Sequence, residues 1–380
     1  MNYSFTEQQE QIRQLAHDFA EKELAPGAMD RDVTSEFPLE AFKKYGESGI
    51  YGVAYPKELG GLGGSYLAYI LAVEEISKVD ASFGIAFSVN TSLYGGSIAN
   101  SSAPEEIKRK FLEPICKGEK IGSFGLTEPG AGSDAAGQKT IAVEDGDYYI
   151  LNGSKCFNTN GPLADYTVIY CLTDPSIGTK SMAAFVVEKG TPGFTVGKIE
   201  NKMGIRSAQV SDMLLENVRV PKENMIAKPG EGFKLAMKTL DGGRIGVAAQ
   251  GLGIAKGAFE IARKYMMERE QFGKPIAKQQ YLAFTMAQLL TEIQAAELLL
   301  YKAAQDKEDG KPYTTSAAMA KLYCTDVAMK VTTQAVQMLG GNGYMREYQV
   351  ERMMRDAKIT QIYEGTNEIQ KLVISGGLFR

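Results

Sequence analysis

With 380 residues, the chain is long enough for two or three domains with substantial cores; its 42 Lys and Arg stand against 46 Asp and Glu. This mildly acidic balance argues against nucleic-acid binding, which goes with clustered base, and no stretch is long and apolar enough to span a bilayer. A single histidine, His17, argues against histidine triads and multi-histidine metal sites, leaving acid–base work to a carboxylate, Lys, Tyr or a cofactor.

Residues 1 to about 118 read as helical. Met1-Asn2-Tyr3 runs into an amphipathic pattern with neither a basic n-region nor an apolar h-region, so no export signal is expected. Thr6 with Gln9 makes a capping box. Ile12, Leu15, Ala16, Phe19 and Ala20 form the apolar face of the helix that follows, His17 turns away to solvent, and Pro26 comes after the helix. Residues 59–64 are a glycine-rich connection, and Ser65 caps a helix over 66–79. From about 119 the pattern shifts to short β-branched and aromatic runs at 166–173, 182–188 and 194–199, giving a compact β domain that ends near Pro221.

After Gly232 the helical signal returns. Leu282, Met286, Leu289, Ile293, Ala296 and Leu300 recur at alternating steps of four and three, a seam that calls for another helix against it. A second long helix, from about 316 to 339, stops at Gly340-Gly341-Asn342-Gly343. The expected division is a helical domain over 1–118, a β domain over 119–232 and a helical bundle over 233–380. Cys116, Cys156, Cys171 and Cys324 are scattered without paired spacing; this indicates neither disulfides nor zinc and fits a cytoplasmic, reducing location.

Three segments carry chemistry. In Ile362-Tyr363-Glu364-Gly365-Thr366-Asn367-Glu368-Ile369-Gln370 a carboxylate stands between an aromatic and a glycine. Apolar neighbours would raise its pKa toward the value a general base needs, while Gly365 lets a ligand lie against the backbone. The plainer reading makes Asn367 an N-cap, Gln370 the end of a capping box and Glu364 a solvated loop residue. Leu126-Thr127-Glu128-Pro129-Gly130-Ala131-Gly132-Ser133-Asp134 offers glycines for close backbone approach and the Thr127 and Ser133 hydroxyls, suited to a polar, flat or phosphorylated ligand; a structural turn is the alternative. In Lys155-Cys156-Phe157-Asn158-Thr159-Asn160-Gly161, strand alternation puts Phe157 and Thr159 on one face, where a ring and a hydroxyl could receive a heteroaromatic group; core packing of Phe157 is the alternative.

Together with Arg269-Glu270-Gln271-Phe272-Gly273 and Gln337-Met338-Leu339-Gly340-Gly341-Asn342-Gly343-Tyr344, these segments make the whole chain resemble the acyl-CoA dehydrogenase family. Ser88-Val89-Asn90-Thr91-Ser92-Leu93-Tyr94 and Leu240-Asp241-Gly242-Gly243-Arg244-Ile245-Gly246 make it most similar to the short-chain, butyryl-CoA branch. One departure is Phe157, where many members carry Trp. The resemblance implies a multidomain α+β fold: an N-terminal helical domain, a middle β-barrel-like domain and a C-terminal four-helix bundle, assembled as a homotetramer built from dimers. It implies FAD held by Phe124, Leu126, Thr127, Gly132 and Ser133, covered by Phe157, Asn158 and Thr159, and completed by Thr366, Asn367 and Glu368. Arg269, Phe272, Gln280 and the run Gln337, Met338, Leu339, Gly340, Gly341 would reach the FAD of a neighbouring subunit. Ser133, Asp241, Gly242, Gly243, Arg244, Tyr363 and Gly365 would meet the CoA thioester. For Arg269 the plainer reading is a surface ion pair, and for Asp241 and Gly340 it is helix capping and termination.

By the same resemblance Glu364 is the base that takes the α-proton while the β-hydrogen passes as hydride to the flavin, giving a trans-2-enoyl-CoA and electrons for an electron-transferring flavoprotein. Some relatives carry the base on the helix containing Gly243, and Gly243 cannot serve. An acyl-CoA oxidase that reduces oxygen is the nearest rival; a non-catalytic helical scaffold with an acyl-CoA-shaped cleft is the second.

Overall fold

The computed structural model describes residues 5–379, so the reading of Met1-Asn2-Tyr3 falls outside it. Seven helices come first: α1 (Glu7–Phe19), α2 (Ala28–Thr34), α3 (Leu39–Glu47), α4 (Tyr66–Ser77), α5 (Ala81–Ser88), α6 (Gly96–Ala99) and α7 (Glu105–Cys116). α1 begins where the side chains of Thr6 and Gln9 each accept the other's backbone N–H, and α4 begins where the Ser65 hydroxyl accepts from the Ala68 N–H. α4 stops at Ser77, short of the expected 79. Residues 12, 16 and 19 of α1, with Ala20 directly after it, make a narrow stripe against α4, but Leu15 sits at its edge and is 36% exposed, so it does not belong to the buried face. His17 is exposed, with Nδ1 3.4 Å from a Glu75 carboxylate oxygen.

The middle of the chain forms one eight-stranded sheet: β1 (Gly122–Gly125), β2 (Ile141–Asp145), β3 (Tyr148–Thr159), β4 (Tyr166–Leu172), β5 (Met182–Glu188), β6 (Phe194–Ile199), β7 (Val210–Pro221) and β8 (Met225–Ala227). Its order is β6-β7-β3-β2-β4-β5-β8, with β1 parallel to β4 off this path. The sheet continues past Pro221 to Ala227, because β8 pairs with β5 at the edge. β4 and β5 are apolar throughout for a reason visible in the packing. Val168, Tyr170, Met182, Ala184 and Val186 face one core, shared with α7, while Ile169, Cys171, Ala183, Phe185 and Val187 face a second core closed by β7.

The remainder is helical: α8 (Gly232–Glu268), a short hairpin of β9 (Glu270–Gln271) and β10 (Lys274–Pro275), then α9 (Gln280–Glu308), α10 (Thr314–Leu339), α11 (Val350–Thr360) and α12 (Asn367–Leu378). The α9 seam is buried at Leu289, Ile293, Ala296 and Leu300 against α10 and α8, and half-buried at Leu282 and Met286. One hydrophobic core runs unbroken from the N-terminal helices into this bundle. An ion pair and a hydrogen bond reinforce the junction: Arg355 of α11 meets Asp32 of α2 at 2.7 Å, and Asp356 accepts the Ile205 N–H beyond β6 at 2.5 Å. Among the described residues no helix is long and apolar enough to cross a membrane.

The turn before β2 is fixed by a buried ion pair. Lys155 of β3, whose side chain is 0% exposed, donates to Glu128 at 2.7 Å, to the Leu126 carbonyl at 3.2 Å and to Gln138 at 3.1 Å. Glu128 also accepts the N–H groups of Lys139 and Thr140. Lys155→Met should therefore leave a buried, unpaired carboxylate and destabilise the fold by about 3–5 kcal/mol. Breaking the exposed Lys22–Asp18 pair should cost no more than about 1 kcal/mol. Thermal unfolding of both variants checks the contrast, and equal melting temperatures would contradict it.

Candidate active site

Between α11 and α12 the backbone turns through two left-handed residues, Glu364 at φ +52° and Gly365 at φ +90°. A non-glycine residue there costs of order 1–3 kcal/mol and persists only when its surroundings over-determine it. They do. Gln370 donates to the Gly365 carbonyl at 2.7 Å, and Lys321 of α10 donates to the same oxygen and to the Asn367 side chain, both at 2.9 Å. The Asn367 N–H donates to the Gln361 carbonyl, and the Tyr363 hydroxyl donates to Gln250.

Two expectations fail in this loop. Thr366, rather than Asn367, is the N-cap: its hydroxyl accepts the Ile369 N–H, because the Asn367 amide is engaged by Thr325 and Asp326 on α10. Gln370 folds back on the loop and completes no capping box. Gly365 is needed for its φ and for the Gln370 side chain, which a Cβ would approach to 2.8 Å; the sequence reading had given only ligand access as the reason.

Both Glu364 carboxylate oxygens are buried and have no hydrogen-bond partner among the described residues. Burial pushes this group from 4.5 up to about 7, with Lys321 and Arg244 pulling the other way. The solvated-loop reading is therefore wrong for Glu364. The helix opposite makes room for it: a Cβ on Gly243 would overlap Glu364 Oε2 and lie 2.7 Å from Leu93 Cδ2. Next to Gly243, the buried Arg244 guanidinium pairs with Asp241 at 2.5 Å, Asp241 accepts the Thr314 hydroxyl at 2.7 Å, and the Gly242 carbonyl accepts the Tyr66 hydroxyl at 2.8 Å. Asp241 lies inside α8 and caps nothing.

Lys321 was missed by the sequence reading. Its signal was a lysine on the face of α10 that also carries Ala317, Ala320, Cys324 and Ala328, all buried.

A second group lies on the sheet. Phe124 packs on Tyr170, with ring centroids 5.3 Å apart, and Leu126 is buried; Thr127 is half-buried, while Gly132 and Ser133 are exposed. Phe157 and Thr159 flank the buried Asn158 at an irregularity in β3. Phe157 has φ +58°, and the β3–β7 register shifts between Lys155 and Asn158, a bulge that turns the ring outward to 67% exposure instead of into the core. Asn158 is buried, its amide donating to the Ser211 carbonyl at 3.0 Å, so its side chain serves the sheet.

A third group gathers at one end of the bundle, around the C-termini of α8 and α10 and the start of α9. Arg269 is exposed and has no carboxylate within ion-pair distance among the described residues, against the surface-pair reading. Phe272 is 92% exposed, and Gln280, Gln337, Gly340 and Gly341 are exposed too. The Met338 and Leu339 side chains are buried in the core, leaving only their backbone to a ligand. Gly340, at φ +60°, ends α10. No hydrogen bond or ion pair joins this group to Thr127, Ser133 or Phe157 among the described residues.

The Glu364 geometry has a measurable consequence for stability. Its folded-state pKa lies above the unfolded value, so its contribution is present in acid and is lost as pH rises from about 4.5 through about 7. Glu364→Gln should be more stable than the parent at pH 8, by at most about 3 kcal/mol, with no gain near pH 4. Melting temperatures of the pair across this range check the sign, and a gain confined to acid would contradict it.

The sequence matches the family models for the acyl-CoA dehydrogenase N-terminal domain over residues 6–119, the middle domain over 123–218 and the C-terminal domain over 230–379. It is 54% identical over 380 residues to the short-chain-specific acyl-CoA dehydrogenase of Clostridium acetobutylicum, covering 100% of both chains. Two solved structures superpose over 100% of both chains. One is the butyryl-CoA dehydrogenase of Megasphaera elsdenii (50% identity, TM-score 0.98); the other comes from work on the electron transferring flavoprotein of Acidaminococcus fermentans and flavin-based electron bifurcation (53% identity, TM-score 0.99). With its full length matched and its helix–sheet–helix order shared, the chain belongs to the acyl-CoA dehydrogenase family.

Proposed function

We propose that the protein is an FAD-dependent dehydrogenase of short-chain acyl-CoA, converting butyryl-CoA to trans-2-enoyl-CoA and passing the electrons to an electron-transferring flavoprotein. The observation that carries this reading is the Glu364 carboxylate, buried without a hydrogen-bond partner among the described residues and with its pKa pushed up to about 7, which suits a general base for a weakly acidic α-proton. Its own backbone N–H has no acceptor among the described residues and is available to hold the thioester carbonyl as charge develops there. Desolvation by the acyl chain strengthens both interactions. Gly243 leaves the carboxylate its space, Arg244 and Asp241 form a fixed polar pair beside it, and Tyr363 is locked by Gln250.

The residues proposed to hold FAD fit that group. A Cβ on Gly130, Gly132, Gly340 or Gly341 would meet nothing within 4 Å, leaving open backbone for a flat ring and a pyrophosphate, and Phe157 presents an exposed face to stack. When bound, FAD supplies the acceptor for the β-hydrogen as hydride. Thr127, Ser133 and Thr159 offer it hydroxyls. Arg269, unpaired in this chain, is proposed to meet the pyrophosphate in a neighbouring subunit of a homotetramer made from two dimers. The exposed rings of Phe272, Tyr281 and Phe284 beside it support that assembly. We further propose boundaries near residues 118 and 232 between the three domains, and a cytoplasmic location.

Glu364→Gln should keep FAD and bind butyryl-CoA yet lose at least about a hundredfold in kcat, since the amide keeps the shape without the proton acceptor. Near-normal bleaching of the flavin by butyryl-CoA in that variant would overturn the assignment. For the parent enzyme, turnover under anaerobic conditions should require added electron-transferring flavoprotein; rapid peroxide formation in air without it would establish an oxidase instead. Arg269→Ala should weaken flavin retention and the tetramer together, and full flavin occupancy in a tetramer of normal stability would refute the shared-site role.

A further inference from the structure

The loop that carries Glu364 is clamped from behind by Lys321. This side chain is 0% exposed, and its ammonium donates to two neutral acceptors, the Gly365 carbonyl and the Asn367 side chain, each at 2.9 Å. No carboxylate lies within ion-pair distance of it among the described residues. A buried ammonium without a counter-ion is costly, and an uncharged side chain could fill the same space at less cost. Burial pulls the Lys321 ammonium from 10.5 down to about 7, and Glu364 is the first group that pulls it back up, so its charge at neutral pH depends on that carboxylate. The Glu364 carboxylate is the other buried charged group in this corner without a partner, one peptide away from the carbonyl that Lys321 holds.

We infer that Lys321 is a positioning residue for Glu364: through the Gly365 carbonyl it holds the left-handed loop in place, and it furnishes the counter-charge that lets the carboxylate ionise. The inference rests on the reading of Glu364 as the base. The other groups facing that carboxylate are already engaged. From α8, Arg244 is paired with Asp241; from α4, Tyr66 bonds the Gly242 carbonyl and Tyr69 bonds Ser88; from the loop itself, Tyr363 bonds Gln250. On the far side of Lys321, Asp326 is bonded by Asn367 and Gln361, and Glu368 is exposed. Lys321 is thus bonded directly to the loop and, among the described residues, has no carboxylate partner. Its hold is rigid, because the Asn367 oxygen it donates to also accepts the Thr325 hydroxyl at 3.2 Å.

The test compares Lys321→Met and Lys321→Arg as flavin-loaded enzymes with butyryl-CoA, measuring flavin content, KM and the pH profile of kcat. For Lys321→Met, flavin content and KM should stay within about twofold. The acid limb of kcat, which reports ionisation of the base, should move up by about one pH unit or more, the size of a lost neighbouring charge. At neutral pH kcat should fall about fivefold or more in step with that shift. Lys321→Arg, which keeps the charge, should keep the limb near its parental position. An unmoved limb in Lys321→Met overturns the inference, and so does a limb that moves equally in both variants. Should Lys321→Met not fold, Lys321→Gln, which keeps a donor and loses the charge, is read by the same criterion. An active Glu364→Gln would overturn the base assignment itself, whereas an inactive Glu364→Gln beside an unmoved Lys321→Met limb overturns only the role of Lys321.

Discussion

Keeping a carboxylate dry without giving it a partner is the constraint around which this chain is arranged. A buried, unpaired carboxylate is destabilising, and here it sits on a residue whose backbone is also strained. Neither cost is met locally. It is met by a core that runs without a break from α1 and α4 through α8 to α10, so that helices from both ends of the sequence press on the loop from opposite sides. The hydrogen bonds from Lys321 and Gln370 then turn that packing into one loop conformation.

The other two groups of proposed site residues have the opposite character. Around Gly132 and Gly340 the chain is open, with exposed glycines and outward-facing rings at Phe157 and Phe272. Exposed aromatics of this size are unfavourable in water unless something covers them, and an unpaired Arg269 among them adds a charge fit for an anion. On the proposed reading, a closed site at Glu364 and open surfaces elsewhere suit an enzyme whose reacting atoms must exclude water while its cofactor and neighbouring subunits arrive from outside.

Legibility in the sequence followed the range of the forces involved. The capping box at Thr6, the Ser65 cap, the α9 seam and the strand runs at 182–188 and 194–199 were readable because they depend on residues three or four apart or on short runs of β-branched and aromatic residues. Glu364 was readable as a candidate from its immediate neighbours. The failures were set by partners distant in sequence. The bulge that turns Phe157 outward is made against β7, more than fifty residues away, and the cap moves to Thr366 because α10 captures Asn367. Lys321 and the loop it clamps are 44 residues apart, beyond any local pattern. Leu15 failed more simply: a helix resting on one neighbour buries a stripe narrower than its apolar face.

On the proposed reading of Glu364 as the base, its packing against Gly243 makes that role a property of two positions at once. The space a Gly243 side chain would occupy is filled by the Glu364 carboxylate, so the helix and the loop compete for one volume next to Leu93. A carboxylate introduced from α8 could be accommodated only if the loop residue were cut back, and cutting back Glu364 alone would leave a void lined by Gly243 and Leu93. Each arrangement is self-consistent and the mixtures are not. Two placements of the base can therefore exist on one scaffold without intermediate forms that carry both, since two carboxylates in that volume would also repel and one would have to remain protonated. What leaves room for the loop carboxylate here is the absence of a Cβ at Gly243, together with the left-handed turn at Glu364 and Gly365 that aims the carboxylate at that gap.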